Sequence, residues 1–130
     1  MSLFVKDIGV DFGTTKTIIY LKDKGVMFSG PTVVAMNDLT GEILAVGDNA
    51  KELLGRTPEN ISAIKPIKSG VVSNFNAAEK LLKKCIDDIP GKSLFTKVRI
   101  LLCVPSDITD VEQKAIEEIA YNAGAKEVYT

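Results

Sequence analysis

The first half of the chain has the alternating hydrophobic pattern of β-strands. Apolar residues alternate with polar or small ones over residues 3–11, which is the two-residue period of a strand. Residues 17–21 are β-branched, aromatic or leucine, and this composition predicts a strand buried on both faces. Gly13-Thr14-Thr15 lies between the two and predicts a tight hairpin turn. Three further short strands are predicted over residues 26–28, 32–36 and 42–46.

The second half of the chain begins with helical spacing. Asp48 is predicted to cap a short helix that runs to residue 54 and ends at Gly55. Apolar residues three and four positions apart predict a longer helix over residues 76–88, which Pro90-Gly91 stops. Two helices therefore follow the strands.

The last third of the chain alternates strand, helix and strand. The apolar run over residues 98–104 predicts a central parallel strand. Thr109 and Glu112 form a capping-box pattern for a helix that Gly124 ends, and residues 127–129 begin another strand. The order is a β-meander followed by α-β-α-β, so we expect an α/β domain with a mixed sheet. The sequence ends at the entry to this last predicted strand, so we expect the domain to be incomplete.

Composition narrows the function classes. The chain has 130 residues and a net charge of −1, and the near-neutral balance argues against a dedicated nucleic-acid binder. It has no histidine, which excludes Ser-His and Cys-His nucleophile pairs and histidine-ligated zinc. Cys85 and Cys103 are expected to be buried free thiols. The sequence contains neither a membrane-spanning run nor a signal-peptide pattern, so we expect a cytoplasmic location.

The segment with the clearest candidate chemistry is the predicted first hairpin. A strand delivers the carboxylate of Asp11 to a turn in which Gly13 allows close backbone approach. The backbone N–H groups and the hydroxyls of Thr14 and Thr15 could hold phosphate oxygens, and Asp11 could hold Mg²⁺ through its waters. Lys16 and Thr17 follow, and strand alternation sends one of them away from the site. A plain hairpin with this turn fits the spacing equally well.

Longer stretches carry a family resemblance. Residues 11–15, Asp-Phe-Gly-Thr-Thr, resemble the first phosphate loop of the actin, Hsp70 and sugar-kinase superfamily. Within it the chain is most similar to the MreB family of bacterial actins. The stretches that carry this resemblance are residues 30–35, 41–47, 50–58, 63–72 and 104–112.

The resemblance implies an actin-like ATPase fold, which is ribonuclease H-like, and a protein that binds ATP and Mg²⁺ and forms filaments that direct cell shape. The resemblance implies that the residues that bind the nucleotide phosphates are Asp11, Gly13, Thr14, Thr15 and Thr17. It also implies that Asp11 holds Mg²⁺ through water. The family's second phosphate loop, adenosine loop and catalytic glutamate match nothing up to residue 130. We therefore expect a truncated domain I with no catalytic residue, no ATPase activity alone and weak or absent ATP binding.

The same resemblance implies a domain organisation. Residues 1–30 and 62–130 would form the core of domain I, and residues 31–61 a small insertion, with the second domain of the nucleotide cleft absent. Lys65 stands where Hsp70 relatives carry a functional lysine and MreB proteins tend to have arginine. We interpret Lys65 as a surface charge.

Leu94 and Phe95 stand in a predicted loop between Lys92 and Lys97. MreB proteins resemble this at the matching place, where a small hydrophobic loop touches the inner face of the cell membrane. The alternative is that both side chains tuck under the preceding helix. The expected partners are the membrane, cell-wall synthesis proteins and further copies of the chain, joined through an open sheet edge or swapped strands.

Two other hypotheses remain at this point. The first is an Hsp70-like or sugar-kinase-like domain that uses the same phosphate loop. The second is an interaction module that has lost nucleotide binding.

Overall fold

The computed structural model describes residues 5–56 and 59–130. In this part of the chain five strands come first, and the helices then alternate with the remaining strands. The strands are β1 (Val5–Phe12), β2 (Lys16–Leu21), β3 (Gly25–Pro31), β4 (Val34–Asn37), β5 (Ile43–Val46), β6 (Ile61–Ile64), β7 (Ile67–Lys68), β8 (Val71–Val72), β9 (Lys97–Cys103) and β10 (Glu127–Tyr129). The helices are α1 (Asp48–Gly55), α2 (Phe75–Asp87) and α3 (Asp110–Asn122). Residues 3 and 4 of the predicted first strand lie outside the described part.

The main sheet is mixed, as the element order predicts. Its five strands are ordered β10-β9-β1-β2-β3. β1 and β2 form the predicted antiparallel hairpin, with Asp11 opposite Ile18. β9 lies between β1 and β10 and is parallel to both, so the prediction of a central parallel strand is confirmed. The carboxyl ends of β1 and β9 therefore meet at one end of the sheet, where Asp11 lies beside Cys103.

Both long helices pack on the same face of this sheet. Leu81 and Ile86 of α2 and Ile119 of α3 are buried in one cluster with the strand residues Ile19 and Ile100. Within the described residues no helix of the chain covers the other face, and apolar side chains lie exposed on it. These exposed residues are Tyr20, Leu101 and Tyr129.

The one-sided packing corrects the prediction for residues 17–21. Thr17, Ile19 and Leu21 are buried, whereas Ile18 between them is half-buried and Tyr20 is exposed. A strand buried on both faces was expected because the segment lacks polar alternation. The prediction is wrong because Ile18 and Tyr20 lie on the open face, where no helix of the described chain packs on them.

The segment between β3 and α2 forms two small sheets. One has the order β5-β4-β6, and α1 packs on it through Ala50, which is buried with Val33 and Ala35. The other is the two-stranded β7-β8 hairpin. The hydrophobic pattern did not predict β6, β7 or β8. β7 and β8 have two residues each, too few to show a period, and the sequence Ile-Ser-Ala-Ile of β6 does not alternate.

Gly47, not Asp48, is the N-cap of α1. Its φ of 63° lies in the left-handed region, and the Phe28 ring occupies the space that a side chain at this position would need. A Cβ at this position would lie 2.8 Å from the ring atom Cζ of Phe28, so glycine is required here. Asp48 lies in the first turn, where its charge favours the helix dipole.

The other two helices begin with side-chain caps. The Asn74 side chain accepts a hydrogen bond of 2.9 Å from the Ala77 N–H, so α2 begins one residue before the predicted start. Thr109 caps α3 as predicted and accepts a hydrogen bond from the Glu112 N–H. The Glu112 carboxylate accepts from the Thr109 hydroxyl at 2.8 Å and so does not complete the capping box through the backbone.

Candidate functional site

The turn between β1 and β2 is closed by its own backbone. The Gly13 N–H donates to the Lys16 carbonyl at 3.1 Å. A Cβ on Gly13 would lie 2.8 Å from that same oxygen, closer than real Cβ atoms come to any neighbour. The turn of a plain hairpin would therefore require glycine here even without a ligand. The absence of a side chain also leaves the backbone accessible from outside.

Strand alternation divides the candidate residues between two faces. Asp11 is exposed at the end of β1, and the register opposite Ile18 puts Lys16 on the same side of the hairpin. Thr17 is fully buried on the other side, and its hydroxyl is 2.7 Å from that of Thr32. The structure therefore does not bring the Thr17 hydroxyl to Asp11.

The Thr14 hydroxyl links this turn to a distant one. It accepts a hydrogen bond of 2.7 Å from the backbone N–H of Gly70, in the turn between β7 and β8. Because the hydroxyl acts there as an acceptor, its own hydrogen remains available for an acceptor outside the protein. The sequence patterns did not indicate this contact, although Ser69-Gly70 directly before the apolar pair Val71-Val72 is a local turn signal.

A groove of about 390 Å³ lies between these two turns. Thr14 and Thr15 line one side, and Ser69, Lys65 and Lys68 line the other. Lys65 is exposed, as a surface charge would be, but it lies beside the threonine hydroxyls rather than on a remote face. Lys51 lines the groove as well, so the groove combines hydroxyl donors with three positive charges, which is a chemistry that suits an anion.

The donor set fits Mg²⁺ only in a hydrated form. Among the residues that the structure describes, no cluster of three or more histidine, cysteine, aspartate or glutamate side chains is present. Asp11 is the carboxylate next to the turn, and none of the ion pairs found in the described ranges involves it. One exposed carboxylate can hold a magnesium ion that keeps most of its waters and shares its ligands with a phosphate.

The two cysteines differ, which corrects half of their prediction. Cys85 lies on the buried face of α2, and burial raises the pKa of its thiol to about 12. Cys103 is exposed, because it falls on the open face at the end of β9. Its burial was expected from the apolar run of the strand, and the expectation is wrong because the described part of the chain covers that face with no helix.

Charged side chains cross the open face of the sheet further from Asp11. The guanidinium of Arg99 on β9 donates to both carboxylate oxygens of Asp7 on β1, with an Nη2–Oδ2 distance of 2.8 Å. This hydrogen bonding lowers the pKa of Asp7 below its ordinary value. On the neighbouring strand pair Lys97 donates to Glu127 at 2.8 Å, which lowers the pKa of that carboxyl. These pairs tie β1, β9 and β10 together.

The loop before β9 holds Leu94 and Phe95 away from the protein. Their exposed fractions are 98% and 82%, so the alternative that they tuck under α2 is wrong. The loop is closed by its own polar residues: the Ser93 N–H donates to the Thr96 hydroxyl at 2.9 Å, and the Thr96 N–H donates to the Ser93 carbonyl. Across the described residues, no helix is long and apolar enough to cross a membrane.

The fold is that of the actin-like proteins. MreB5 of Spiroplasma citri bound to ADP aligns with a TM-score of 0.82 and 28% identity, over 98% of this chain and 38% of that one. The MamK double helical filament aligns with a TM-score of 0.77 and 20% identity, a likeness of fold alone. The expected actin-like α/β fold is therefore confirmed.

The chain belongs to the MreB/Mbl family, which matches residues 5–130. It is 47% identical over 127 residues to the cell shape-determining protein Mbl of Bacillus subtilis (strain 168). It is 43% identical over 132 residues to the cell shape-determining protein MreB of Escherichia coli (strain K12). Each alignment covers 98% of this chain and 38% of the relative, so the chain spans well under half the length of these proteins. Membership favours the MreB resemblance over the Hsp70 and sugar-kinase alternatives.

Proposed function

We propose that the chain is the N-terminal domain I part of a cell-shape-determining actin-like protein and that its β1–β2 turn holds the phosphates of ATP with Mg²⁺. The observation that carries this proposal is the exposed Asp11, placed directly before a glycine-closed turn that borders the lysine-lined groove. The likeness to MreB5, whose structures contain ADP and AMPPNP, supports the same assignment.

Each residue of the site has a separate role in this proposal. Asp11 holds hydrated Mg²⁺, and bound Mg²⁺ neutralises phosphate charge. Thr14 and Thr15 donate hydroxyl hydrogens, and the turn through Gly13 lets backbone N–H groups approach the phosphates. Thr17 supports the turn from the core through Thr32 and does not touch the nucleotide. Catalytic groups are not assigned to this chain, and we expect it to have no ATPase activity alone.

A titration of the ¹⁵N-labelled chain with ADP and Mg²⁺ tests the phosphate site. We expect millimolar binding, with amide shifts confined to residues 13–16 and 68–70. Asp11→Asn should remove the Mg²⁺ dependence of these shifts, whereas Asp23→Asn, the same change in the turn after β2, should leave it intact. Shifts elsewhere, or equal effects of the two variants, would contradict the proposal.

The two larger sheets support the proposed domain organisation. The five-stranded sheet takes its strands from residues 5–31 and 97–129, whereas the three-stranded sheet takes its strands from residues 34–64. We therefore assign residues 1–31 and 65–130 to a core and residues 32–64 to an insertion, because β3 ends at Pro31 and the expected boundary at residue 61 would divide β6. Deletion of residues 34–64 with a short Gly-Ser bridge should leave the amide spectrum of the five-stranded sheet recognisable. Global unfolding of that variant would contradict a separate insertion.

Self-association is the proposed use of the remaining surface. In the longer protein we expect filaments that guide cell-wall synthesis proteins. In this chain alone we expect edge-paired or strand-swapped oligomers, since the exposed Tyr20, Leu101 and Tyr129 and the outer strands β3 and β10 are open. Sedimentation at high concentration tests this, and a clean monomer would count against it.

Leu94 and Phe95 are the proposed membrane contact, at the cytoplasmic, inner face of the cell membrane. Burying both side chains contributes about 3–6 kcal/mol before ordering costs, so one copy binds weakly and a filament binds through many copies. Leu94→Ser/Phe95→Ser should abolish pelleting with vesicles. Wild-type pelleting by this variant would exclude the contact.

A further inference from the structure

We propose that the membrane-contacting surface is wider than the Leu94–Phe95 tip and that two lysines from neighbouring turns, Lys24 and Lys126, complete it and select anionic lipid headgroups. This inference rests on the membrane contact proposed above. It adds a charge requirement and an orientation to that contact.

The topology brings three connections to the same end of the sheet. β1, β9 and β10 are parallel and all begin there, and β2 is antiparallel and ends there. The loop before β9, the turn between β2 and β3 and the connection from α3 to β10 are therefore neighbours. Asp11 is at the opposite end of β1, about 20 Å away, since six residues separate it from Val5.

Both lysines lie at this end of the sheet, and Lys126 is next to the apolar tip. Lys126 lines the same groove as Leu94 and Phe95, and its backbone N–H donates to the Val98 carbonyl at 2.8 Å. Lys24 lines a neighbouring groove together with Pro90, at the start of the loop that carries the tip. Lys126 thus borders the tip directly, whereas Lys24 lies at the same end of the sheet beside the start of the loop, in a groove that Asp88 also lines.

The charges of these connections are strongly biased. Residues 22–24, 90–97 and 123–126 contain five lysines and one aspartate, Asp23. Three of the lysines have acidic neighbours: Lys22 is 4.0 Å from Asp7, Lys92 is 3.7 Å from Asp87 and Lys97 is 2.8 Å from Glu127. Lys24 and Lys126 are exposed, and the ion pairs within residues 5–56 and 59–130 include neither.

The shape of this surface favours a bilayer over an acidic protein. Leu94 and Phe95 project outward with almost their whole surface exposed, Lys126 flanks them, and Lys24 lies at the same end of the sheet. A projecting apolar tip with flanking cations fits a layered partner whose negative charges lie above a hydrocarbon interior. With this surface on the membrane, the main strands run away from it and the Asp11 turn faces the cytoplasm.

Vesicle co-sedimentation of the chain tests the inference. We expect Lys24→Gln/Lys126→Gln to lower partitioning onto phosphatidylglycerol-containing phosphatidylcholine vesicles about 25-fold, or about fivefold per lysine. Partitioning onto pure phosphatidylcholine should not change. The matched control is Lys51→Gln/Lys114→Gln, which removes two exposed lysines from α1 and α3 and should change partitioning less than twofold.

The outcomes separate this inference from the membrane contact itself. Loss of vesicle binding in Leu94→Ser/Phe95→Ser, together with the 25-fold loss in the turn-lysine variant, supports both. Loss in the tip variant with no change in the turn-lysine variant overturns the inference and keeps the contact. Equal losses in the turn-lysine and control variants also overturn it, since total charge would then suffice. Wild-type binding by the tip variant overturns both.

Discussion

The two ends of the five-stranded sheet both carry exposed loops, but the loops are held in different ways. The turn after Asp11 depends on distant residues, because Thr14 accepts from Gly70 and the following strand is tied to Thr32 through Thr17. The loop with Leu94 and Phe95 is closed by hydrogen bonds among its own residues 93–96. A change at the first end therefore disturbs both the fold and the site, whereas a change at the second alters the surface alone.

Gly13→Ala should have the largest effect on stability. The new Cβ would lie 2.8 Å from the Lys16 carbonyl oxygen, so the hairpin must distort, and we expect a loss of about 2–3 kcal/mol in the free energy of unfolding. Urea denaturation measures it. Gly55→Ala is the matched control, because nothing lies within 4 Å of that position, and it should cost nothing. Equal stability of the two variants would show that the turn is not constrained.

Thr17→Val should have the next largest effect. It leaves the buried Thr32 hydroxyl without its partner, which costs about 1–2 kcal/mol. Thr17→Val/Thr32→Val removes both hydroxyls and should recover most of this loss. Additive losses in the double variant would mean that the hydroxyl pair does not matter.

The Asp7–Arg99 pair near the other end gives a pH-dependent effect. Because the Arg99 hydrogen bonds lower the pKa of Asp7 in the folded state, the pair stabilises the protein above the unfolded pKa of about 3.9. This stability is lost as the pH falls through the lower folded value. Asp7→Asn should cost about 1 kcal/mol at neutral pH, and the difference from wild type should shrink in strong acid.

Denaturation from pH 7 down to pH 2 checks the Asp7 prediction. Asp7→Asn/Arg99→Gln should lack the same pH dependence and serves as its reference. A difference between wild type and Asp7→Asn that grows as the pH falls would have the wrong sign.

The smallest effect on stability is expected at the Leu94–Phe95 tip. Both side chains are almost fully exposed in the folded state, so Leu94→Ser/Phe95→Ser should change the free energy of unfolding by less than about 0.5 kcal/mol. Thermal melting measures it. A large loss of unfolding free energy would mean that these side chains contribute to the core. The two ends of the sheet would then not differ in the way described above.

Local patterns predicted the strands and turns of the main sheet well. The period of β1, the Gly13 turn and the Thr109 cap of α3 depend on residues a few positions apart. The Thr14–Gly70 bond joins residues 56 positions apart, and no local pattern indicates it. The exposure of Cys103 depends on which sheet face the helices cover, and the hydrophobicity of β9 does not specify that.

The position of β9 between β1 and β10 has a consequence for how the chain folds as it is made. The β1–β2 hairpin can form early. The other edge of β1 pairs with β9, which is synthesised much later: Lys97, the partner of Val5, follows it by 92 positions. At ordinary synthesis rates this wait lasts about 5–20 s, and long-range pairing of this kind is slow. During that interval Ile8 and Val10 lie on an unpaired edge, so a chaperone that binds exposed strands would meet the nascent chain there.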